Sequence, residues 1–550
     1  MKQDILAGRF DLEKARQELE GDRVTVGLAI CGVSSGGLPV FDALREAGLG
    51  LPVVRVGCIG MCHNEPVVTV RQRGKQSVYG KVTRENVGML AACIKRGEVC
   101  KELLVCHDIR ELDFYRKQKR LVMENCGITE PLSIGQYAAR GGYSGLARAL
   151  GMKPLEVIEE IKMSKLRGRG GAGFPTWIKW NILAGKQGKK YLVCNADEGD
   201  PGAFMNKTVV VSDPFRVIEG ITIGAYATGA DEGYIYARAE APLAIETIGK
   251  ALEIAYDNGL LGKGILGVKG FDFNLMLQRG AGAFVCGEET ALMNSIEGRR
   301  GMPRPRPPFP AEKGLYGRPT DINNVGTWAH AATILRMGAG EYAKFGTEKS
   351  GGTKEICLAG NIRRSGIIEV PLGTPLKTII YDIGGGTPPG TTLKAVLTGG
   401  PAGGAIPLKH MGTPLDYEPL QALGSIMGSG GMVVLTDRDC MVDTARFFMG
   451  FTQSESCGKC TPCREGTRRL LEMLTKIKEF KGSPEDLEKV RLLAEYVRDN
   501  SLCGLGQNAP NPVLSTLRFF RGEYEDHVSK GRCCATPSPP PKGKRKAKGK

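Results

Sequence analysis

Apolar residues recur along this chain in two periods, and the switches between them divide it. Short apolar runs at VTVGLAI (24–30), VVRVG (53–57) and PVVTV (66–70) predict strands. LPVFDALREAG (38–48) and ENVGMLAACIKRG (85–97) space their apolar residues by three and four, which predicts helices packed on those strands. Residues 1–100 therefore read as a small α/β unit, entered through a charged, helix-like segment, MKQDILAGRFDLEKARQELEGD. A charged connector over 100–130 follows. From 130 to 345, strands such as KKYLVCN and EGYIYAR alternate with helices such as APLAIETIGKALEIAYDNG, a pattern that predicts a sheet with helices on its faces. Residues 350–435 change to short strands between Gly and Pro turns, KEICLAGNI, GIIEVPLG and LKAVLTGG, and predict a small β-rich domain. Residues 440–530 are helical in DTARFFMGFTQ, CREGTRRLLEMLTKIKEF, PEDLEKVRLLAEYVRDN and NPVLSTLRFF, and four helices pack most simply as a bundle.

The bulk numbers agree with a multidomain α/β protein. A chain of 550 residues is too long for one core. No apolar run approaches the ~18 residues of a membrane helix, and the N-terminus lacks an apolar signal core, so a cytoplasmic protein without a membrane span is expected. The net charge of +16 is unevenly spread, because the terminal KGKRKAKGK alone carries six charges. That segment follows TPSPPP, so residues 531–550 read as a solvated, extended tail. No aromatic residue interleaves with its charges, which argues against a nucleic-acid surface. The seventeen cysteines change the picture more. In a reducing compartment they point to metal or redox chemistry before disulfides.

SESCGKCTPCREGT and, forty residues on, SLCGLGQ place Cys457, Cys460, Cys463 and Cys503 in a three-plus-one pattern. Three thiolates two residues apart fit three corners of a cubane on one loop, and a distant fourth closes a [4Fe–4S] site. A structural zinc site is the competing reading, although zinc ligands usually come in two pairs. Gly458 and Pro462 suit a tight ligand loop. Arg464, Arg468 and Arg469 are expected to pair with carboxylates or the cluster's charge. In the N-terminal unit Cys31, Cys58 and Cys62 supply three ligands of a [2Fe–2S] pattern whose fourth position holds Gly36. Three thiolates do not complete such a site, so the expected outcome is a retained fold with a lost cluster.

GRGGAGFPTWIKW (168–180) contains the letters of a G-x-G-x-x-G dinucleotide fingerprint. That fingerprint needs a strand before it. Here KPLEVIEEIKMSKLRG precedes it, with Leu155, Ile158 and Ile161 on one helical face and Pro154 in the first turn, so a helix leads in. The glycines still let a backbone approach a flat or phosphorylated ligand, and Arg169 and Lys179 can supply charge to phosphate. VCNADEGDPG sets Asn195, Asp197, Glu198 and Asp200 just after a strand, the edge where open α/β sheets bind ligands. GAFVCGEETALMNSIEGRRG sets Glu288 and Glu289 at a helix start, where they can also serve only the helix N-terminus.

Taken in order, GRGGAGFPT-x-x-KW, NADEGDPG, GEETALMNSIEG with RPPFP, and SCGKCTPCREGT with SLCGLGQ resemble the NADH-binding flavoprotein component of respiratory complex I. They are also similar to the subunits of NAD-linked, often electron-bifurcating hydrogenases, and the likeness covers residues 25–530. It implies a thioredoxin-like N-terminal domain, a Rossmann-like FMN and NADH domain, a β-grasp-like (SLBB) domain and a helical [4Fe–4S] domain. It implies FMN contacts from Gly168, Arg169, Gly170, Lys179, Asn195, Asp197, Glu198, Gly287, Glu288, Asn323 and Asn324. Phe174 and Phe309 match positions that hold the adenine of NADH, and Asp200 and Glu289 match positions near its ribose and nicotinamide. The implied reaction passes hydride from NADH to FMN, then single electrons to the cubane. No side chain is needed as nucleophile or general base. Implied partners are a thioredoxin-like [2Fe–2S] subunit and an iron–sulfur or hydrogenase-type subunit. The chain departs from the family at Trp177, Ile182, Phe284, Asn206–Lys207 and Gly326, all near the pocket. Those changes motivate a second reading, an electron-relay subunit without NADH turnover of its own.

Overall fold

The computed structural model describes residues 8–533 and 535. The basic tail, Cys534 and the first seven residues lie outside them. Three sheets organise the described residues. The first contains β1 (Arg23–Gly27), β2 (Val53–Val56), β3 (Val68–Gln72), β4 (Lys75–Tyr79) and β5 (Leu104–Cys106), in the order β2-β1-β3-β4-β5. β1 and β2 run parallel while β3 and β4 form an antiparallel hairpin. Helices Gly37–Glu46 and Val87–Arg96 bury Val40, Phe41, Leu44, Leu90 and Ile94 against it. The periodicity predicted β1, β2, β3 and both helices. It missed β4, whose KQSVY is polar at its start, and β5, which lies inside the expected connector.

The second sheet is β6 (Tyr191–Ala196), β7 (Glu232–Ala237), β8 (Asn274–Arg279) and β9 (Thr320–Asn324), all parallel, in the order β8-β7-β6-β9. Parallel strands are covered on both faces, which explains why YLVC is continuously apolar and buried. Helices Pro214–Thr228 and Val325–Met337 pack together over this sheet, and Trp180 stacks on Trp328 with ring centroids 5.6 Å apart. Gly220 and Gly224 allow that approach, since a Cβ at Gly220 would sit 1.9 Å from the Trp328 carbonyl oxygen.

The third sheet holds β10 (Thr353–Gly360), β11 (Gly366–Pro371), β12 (Leu393–Thr398), β13 (Ala405–Pro407) and β14 (Gly431–Thr436), in the order β11-β10-β14-β12-β13. The C-terminal helices Met441–Ser454, Thr461–Lys478, Pro484–Asn500 and Asn511–Phe519 stand where the periodicity put them, joined by Arg521–Ser529.

The segment between the first two sheets is held by one buried carboxylate. Glu369 on β11 accepts hydrogen bonds from the backbone N–H groups of Leu121, Val122 and Met123, and from the Thr353 hydroxyl. The expected cost of Glu369→Ala is about 3 kcal/mol, because it strands three buried donors. Calorimetry should show a lower unfolding midpoint for this variant; an unchanged midpoint would count against the carboxylate as the anchor.

Candidate functional site

β6 is flanked by β7 and β8 on one side and by β9 on the other, so the strand order reverses between β6 and β9. A crevice opens at the carboxyl ends of strands where such a reversal occurs. Asn195 on β6 lies opposite Asn324 on β9, and Cys194 opposite Asn323. The Asn195 side chain donates to the Gly287 carbonyl at 2.8 Å and accepts from the Asp197 N–H at 3.1 Å. It thereby ties the segment before helix Glu289–Ile296 to the end of β6. Asn324 caps helix Val325–Met337, accepting from the Gly326 N–H.

Helix Pro154–Met163 leads into the glycine loop, as the pattern required, and helix Thr176–Ala184 leads out. The buried face of the leading helix is Val157, Ile158 and Ile161; Leu155, expected on that face, is 64% exposed. Six residues of helix rotate about 240° beyond a full turn, so Leu155 and Ile161 cannot share one face. Gly170 packs on Asn324, and Gly173, at φ +66°, sits where a Cβ would be 2.4 Å from the Tyr417 ring. Lys179 projects from the second helix to the end of β9. Its ammonium lies 3.1 Å from buried Asp321 Oδ1, and donates to Asn323 Oδ1 at 2.9 Å and to the Ile322 carbonyl.

Arg169 corrects the sequence reading. Its guanidinium is fully buried and is not free to face a phosphate. It donates to the carbonyls of Thr353 (3.0 Å), Gly351 (2.7 Å) and Arg167 (2.8 Å), and to the Tyr342 hydroxyl (3.2 Å). Five donors in a rigid fork suit such a multiple anchor. The Arg169 backbone is engaged as well, its N–H donating to Thr327 Oγ1. Tyr342 also contacts His330 Nδ1 at 3.0 Å, and His330 Nε2 lies 3.1 Å from Glu355. Burial depresses His330 to about 4, which keeps it neutral. Lys354 completes this buried network by donating to the Arg169 carbonyl at 3.1 Å. His330, Tyr342, Lys354 and Glu355 carried no motif, and nothing in their spacing announces them.

The acidic residues separate by role. Glu198 caps helix Met205–Ser212, accepting from the Asn206 and Lys207 N–H groups at 2.9 and 3.0 Å. Glu288 caps helix Glu289–Ile296, accepting from Thr290 and Ala291. Both carboxylates are thus engaged by helix N-termini. Glu289 pairs with Arg306 at 2.6 Å. Asp200 turns to Ser429, whose hydroxyl donates at 3.0 Å, and burial raises its carboxyl to about 6. Asp197 is different. Its Oδ1 is buried without a hydrogen-bond partner among the described residues, 3.8 Å from Arg238 Nη1, which is likewise unpartnered. Burial raises Asp197 to about 7. Phe174 and Phe309 stand 49% and 54% exposed, each just before a helix, and the helices they precede touch. An orphaned acid and base, two half-exposed rings and a glycine-bounded floor fit a flat, hydrogen-bonding cofactor such as FMN.

Cys457, Cys460, Cys463 and Cys503 line one pocket with Val285, Pro303, Ser456, Lys459, Leu502 and Leu505. Gly458, at φ +74°, turns the ligand loop, and Pro462 opens the helix that carries Cys463. No three of these sulfurs lie within 4.8 Å of one another. A single tetrahedral zinc would hold its thiolates ~3.8 Å apart. The wider spacing suits a cubane, which keeps its four ligands on separate irons. Arg464 pairs with Glu465, and Arg468 and Arg469 with Glu472, so these arginines neutralise neighbours. The helical domain is pinned to the crevice wall by Glu455, which accepts from the Phe284 N–H at 2.8 Å, and by Lys459, which donates to the Pro303 carbonyl. Cys533, unassigned from sequence, meets Cys440 and His527, whose Nε2 is 3.6 Å from Cys440 Sγ.

Comparison with known proteins agrees with this geometry. Residues 161–333 match the family described as the Nuo51 FMN-binding domain, and residues 443–527 match the NADH-ubiquinone oxidoreductase-F iron-sulfur binding region. The chain is 53% identical over 421 residues to the NADP-reducing hydrogenase subunit HndC of Solidesulfovibrio fructosivorans, covering 76% of this chain and 86% of that one. It is 43% identical over 415 residues to an F-type subunit of the NADH-quinone oxidoreductase of Rhizobium meliloti, covering 75% of this chain and 98% of that one. The crystal structure of an NAD+-reducing [NiFe]-hydrogenase in its H2-reduced state superposes with a TM-score of 0.67 at 27% identity, over 92% of this chain and 84% of that one. Relatedness at this level, over nearly the whole length of the Rhizobium relative, leaves one assignment: the chain belongs to the family of NADH-quinone oxidoreductase F-type subunits, NADH-oxidising flavoproteins with FMN and a [4Fe–4S] cluster.

Proposed function

We propose that the crevice between β6 and β9 is the FMN and NADH site, and that the four-thiol pocket takes up its electrons for partner subunits. One observation carries this reading: both sites share a wall. Val285 and Pro303 line the thiol pocket, while Gly287, two residues from Val285, is tied to Asn195 at the end of β6. FMN, when bound, supplies the two-to-one electron conversion. The chain supplies position. The Gly168–Gly170 backbone and Gly287 form the floor, and Asn195, Asn323 and Asn324 offer amides at the strand ends. Lys179 places positive charge there. Glu198 and Glu288 act through the helix ends that they cap, as positioning residues. Phe174 and Phe309 present their rings to the adenine of NADH, with Asp200 and Glu289 on the ribose side. We read the first sheet with its two helices as a thioredoxin-like domain and the third as the β-grasp-like domain of the family. The C-terminal helices form the cluster domain. Partners would be the other subunits of a hydrogenase or a quinone-linked complex, as the relatives' names suggest, and among them a [2Fe–2S] and an iron–sulfur subunit, as the sequence resemblance implies.

Anaerobic addition of one equivalent of NADH to the holo-chain should bleach the flavin band. A flavin that bleaches with dithionite and with neither NADH nor NADPH would favour the relay reading. Phe309→Ala should raise KM for NADH about tenfold, since stacking a base on an aromatic ring is worth roughly 1–3 kcal/mol. FMN content should be unchanged, because the ring is half exposed and supports little else. Asp197 yields a pH test. Its folded value of about 7 lies above its free value of 3.8, so folding retains a proton that the open chain releases. Below about 7 the neutral acid can donate to a ligand acceptor; above it the carboxylate repels an anionic ligand. Fluorescence titration of FMN into the flavin-stripped chain should show weaker binding as pH rises through this value, and Asp197→Asn should flatten the profile.

A further inference from the structure

The N-terminal thiols do not fit the diiron cluster whose spacing they partly follow. Such a cluster divides four ligands between two irons. Here Cys31, Cys58 and Cys62 converge on a single point, with all three sulfurs within 4.8 Å of one another. Cys31 Sγ is 3.2 Å from Cys58 Sγ, and Cys58 Sγ is 3.8 Å from Cys62 Sγ. The position expected for the missing cysteine, Gly36, has φ +92°, and a Cβ there would meet nothing within 4 Å.

A fourth donor comes from a residue that the cysteine spacing does not reveal. Glu65 is only 4% exposed, and its Oε1 lies 3.4 Å from Cys31 Sγ. Its other oxygen is fixed by the Val67 N–H at 2.9 Å, which turns Oε1 toward the sulfurs. The carboxyl packs against two glycines: a Cβ at Gly27 would only touch its oxygens at 3.4 Å, and one at Gly32 would press on Oε2 at 3.3 Å and collide with the Gly27 carbonyl at 2.0 Å. The Gly60 N–H donates to Cys58 Sγ at 3.2 Å, the kind of outer contact that orients a metal-bound thiolate.

We propose that Cys31, Cys58, Cys62 and Glu65 form a closed, four-ligand site for one Zn2+. Tetrahedral zinc, with Zn–S near 2.3 Å and Zn–O near 2.1 Å, places its sulfurs ~3.8 Å apart and a carboxylate oxygen ~3.6 Å from each sulfur. The Cys58–Cys62 separation of 3.8 Å and the Cys31–Glu65 separation of 3.4 Å are close to that geometry, whereas Cys31 and Cys58, 3.2 Å apart, must spread and the Glu65 carboxylate must turn further toward Cys62 as the metal binds. A closed site with no open position is structural and redox-silent. It sits where the first domain meets the flavin domain, since the Cys58 N–H donates to Ser212 Oγ at 3.2 Å and Gly57 packs directly on Ser212. Bound zinc would lock that junction, through the helix that Glu198 caps at its other end.

This proposal is independent of the flavin assignment. Metal analysis of the full holo-chain should find one zinc per chain beside the four irons of the cubane. Zinc K-edge absorption should resolve three sulfurs and one oxygen. Cys62→Ser and Glu65→Gln should each lower zinc content at least severalfold while iron and FMN stay constant. If either variant fails to fold, the absorption spectrum of the parent chain decides. Six irons without zinc, an unmetallated site with three titratable thiols, or a Cys31–Cys58 disulfide by mass spectrometry would each overturn the proposal.

Discussion

The site rests on the burial of a single guanidinium. Arg169 lies inside the glycine loop, yet its side chain turns away from the crevice and is fully enclosed. Its donors reach carbonyls on both sides of the join into β10 and the hydroxyl of Tyr342. A buried, charged donor without partners costs several kcal/mol, so the loop and the third sheet must be present together. The glycines then serve a second purpose beyond ligand access. Gly171 and Gly173 let the loop run against Gly428 and Tyr417, where side chains would collide. The same contacts that shape the floor of the crevice dock the β-rich domain to it.

The crevice and the thiol pocket are joined in the same economical way. The segment from Phe284 to Glu289 touches both: Val285 lines the thiol pocket, and Gly287 is tied to Asn195 at the end of β6. Two domains are joined here through a few directed bonds from Glu455 and Lys459 to backbone groups, where a flat apolar interface would leave the register free. Arginines beside the cysteine loop are taken up by neighbouring carboxylates, so the pocket's own charge is set by its thiolates and by Lys459.

Acidic residues illustrate how one motif divides its labour. Asn195, Asp197, Glu198 and Asp200 stand within six positions, yet the fold gives each a different neighbour. Asn195 ties a wall, Glu198 caps a helix, Asp200 meets the Ser429 loop, and Asp197 keeps a buried oxygen without a partner. Of the four, only Asp197 has a fully buried side-chain oxygen that no group among the described residues satisfies.

Local rules made much of this legible from the chain alone. Strand and helix periods located most elements, because burial of one face dictates spacing. Pro154 marked the helix entering the glycine loop, and the three-plus-one cysteine spacing marked a cluster, because both are constraints between near neighbours. What only the tertiary structure decided involves residues far apart in sequence. Polar strands such as β4 are held by ladder partners and not by their own pattern. Arg169 reads as a phosphate ligand until β10, almost two hundred residues later, takes its donors. Glu65 stands in no motif, and only the closing of β1 and the thiol loops around it buries it beside Cys31. A sequence shows which groups are available; which atoms face one another follows from packing between distant segments, and that is where charge, burial and metal geometry are set.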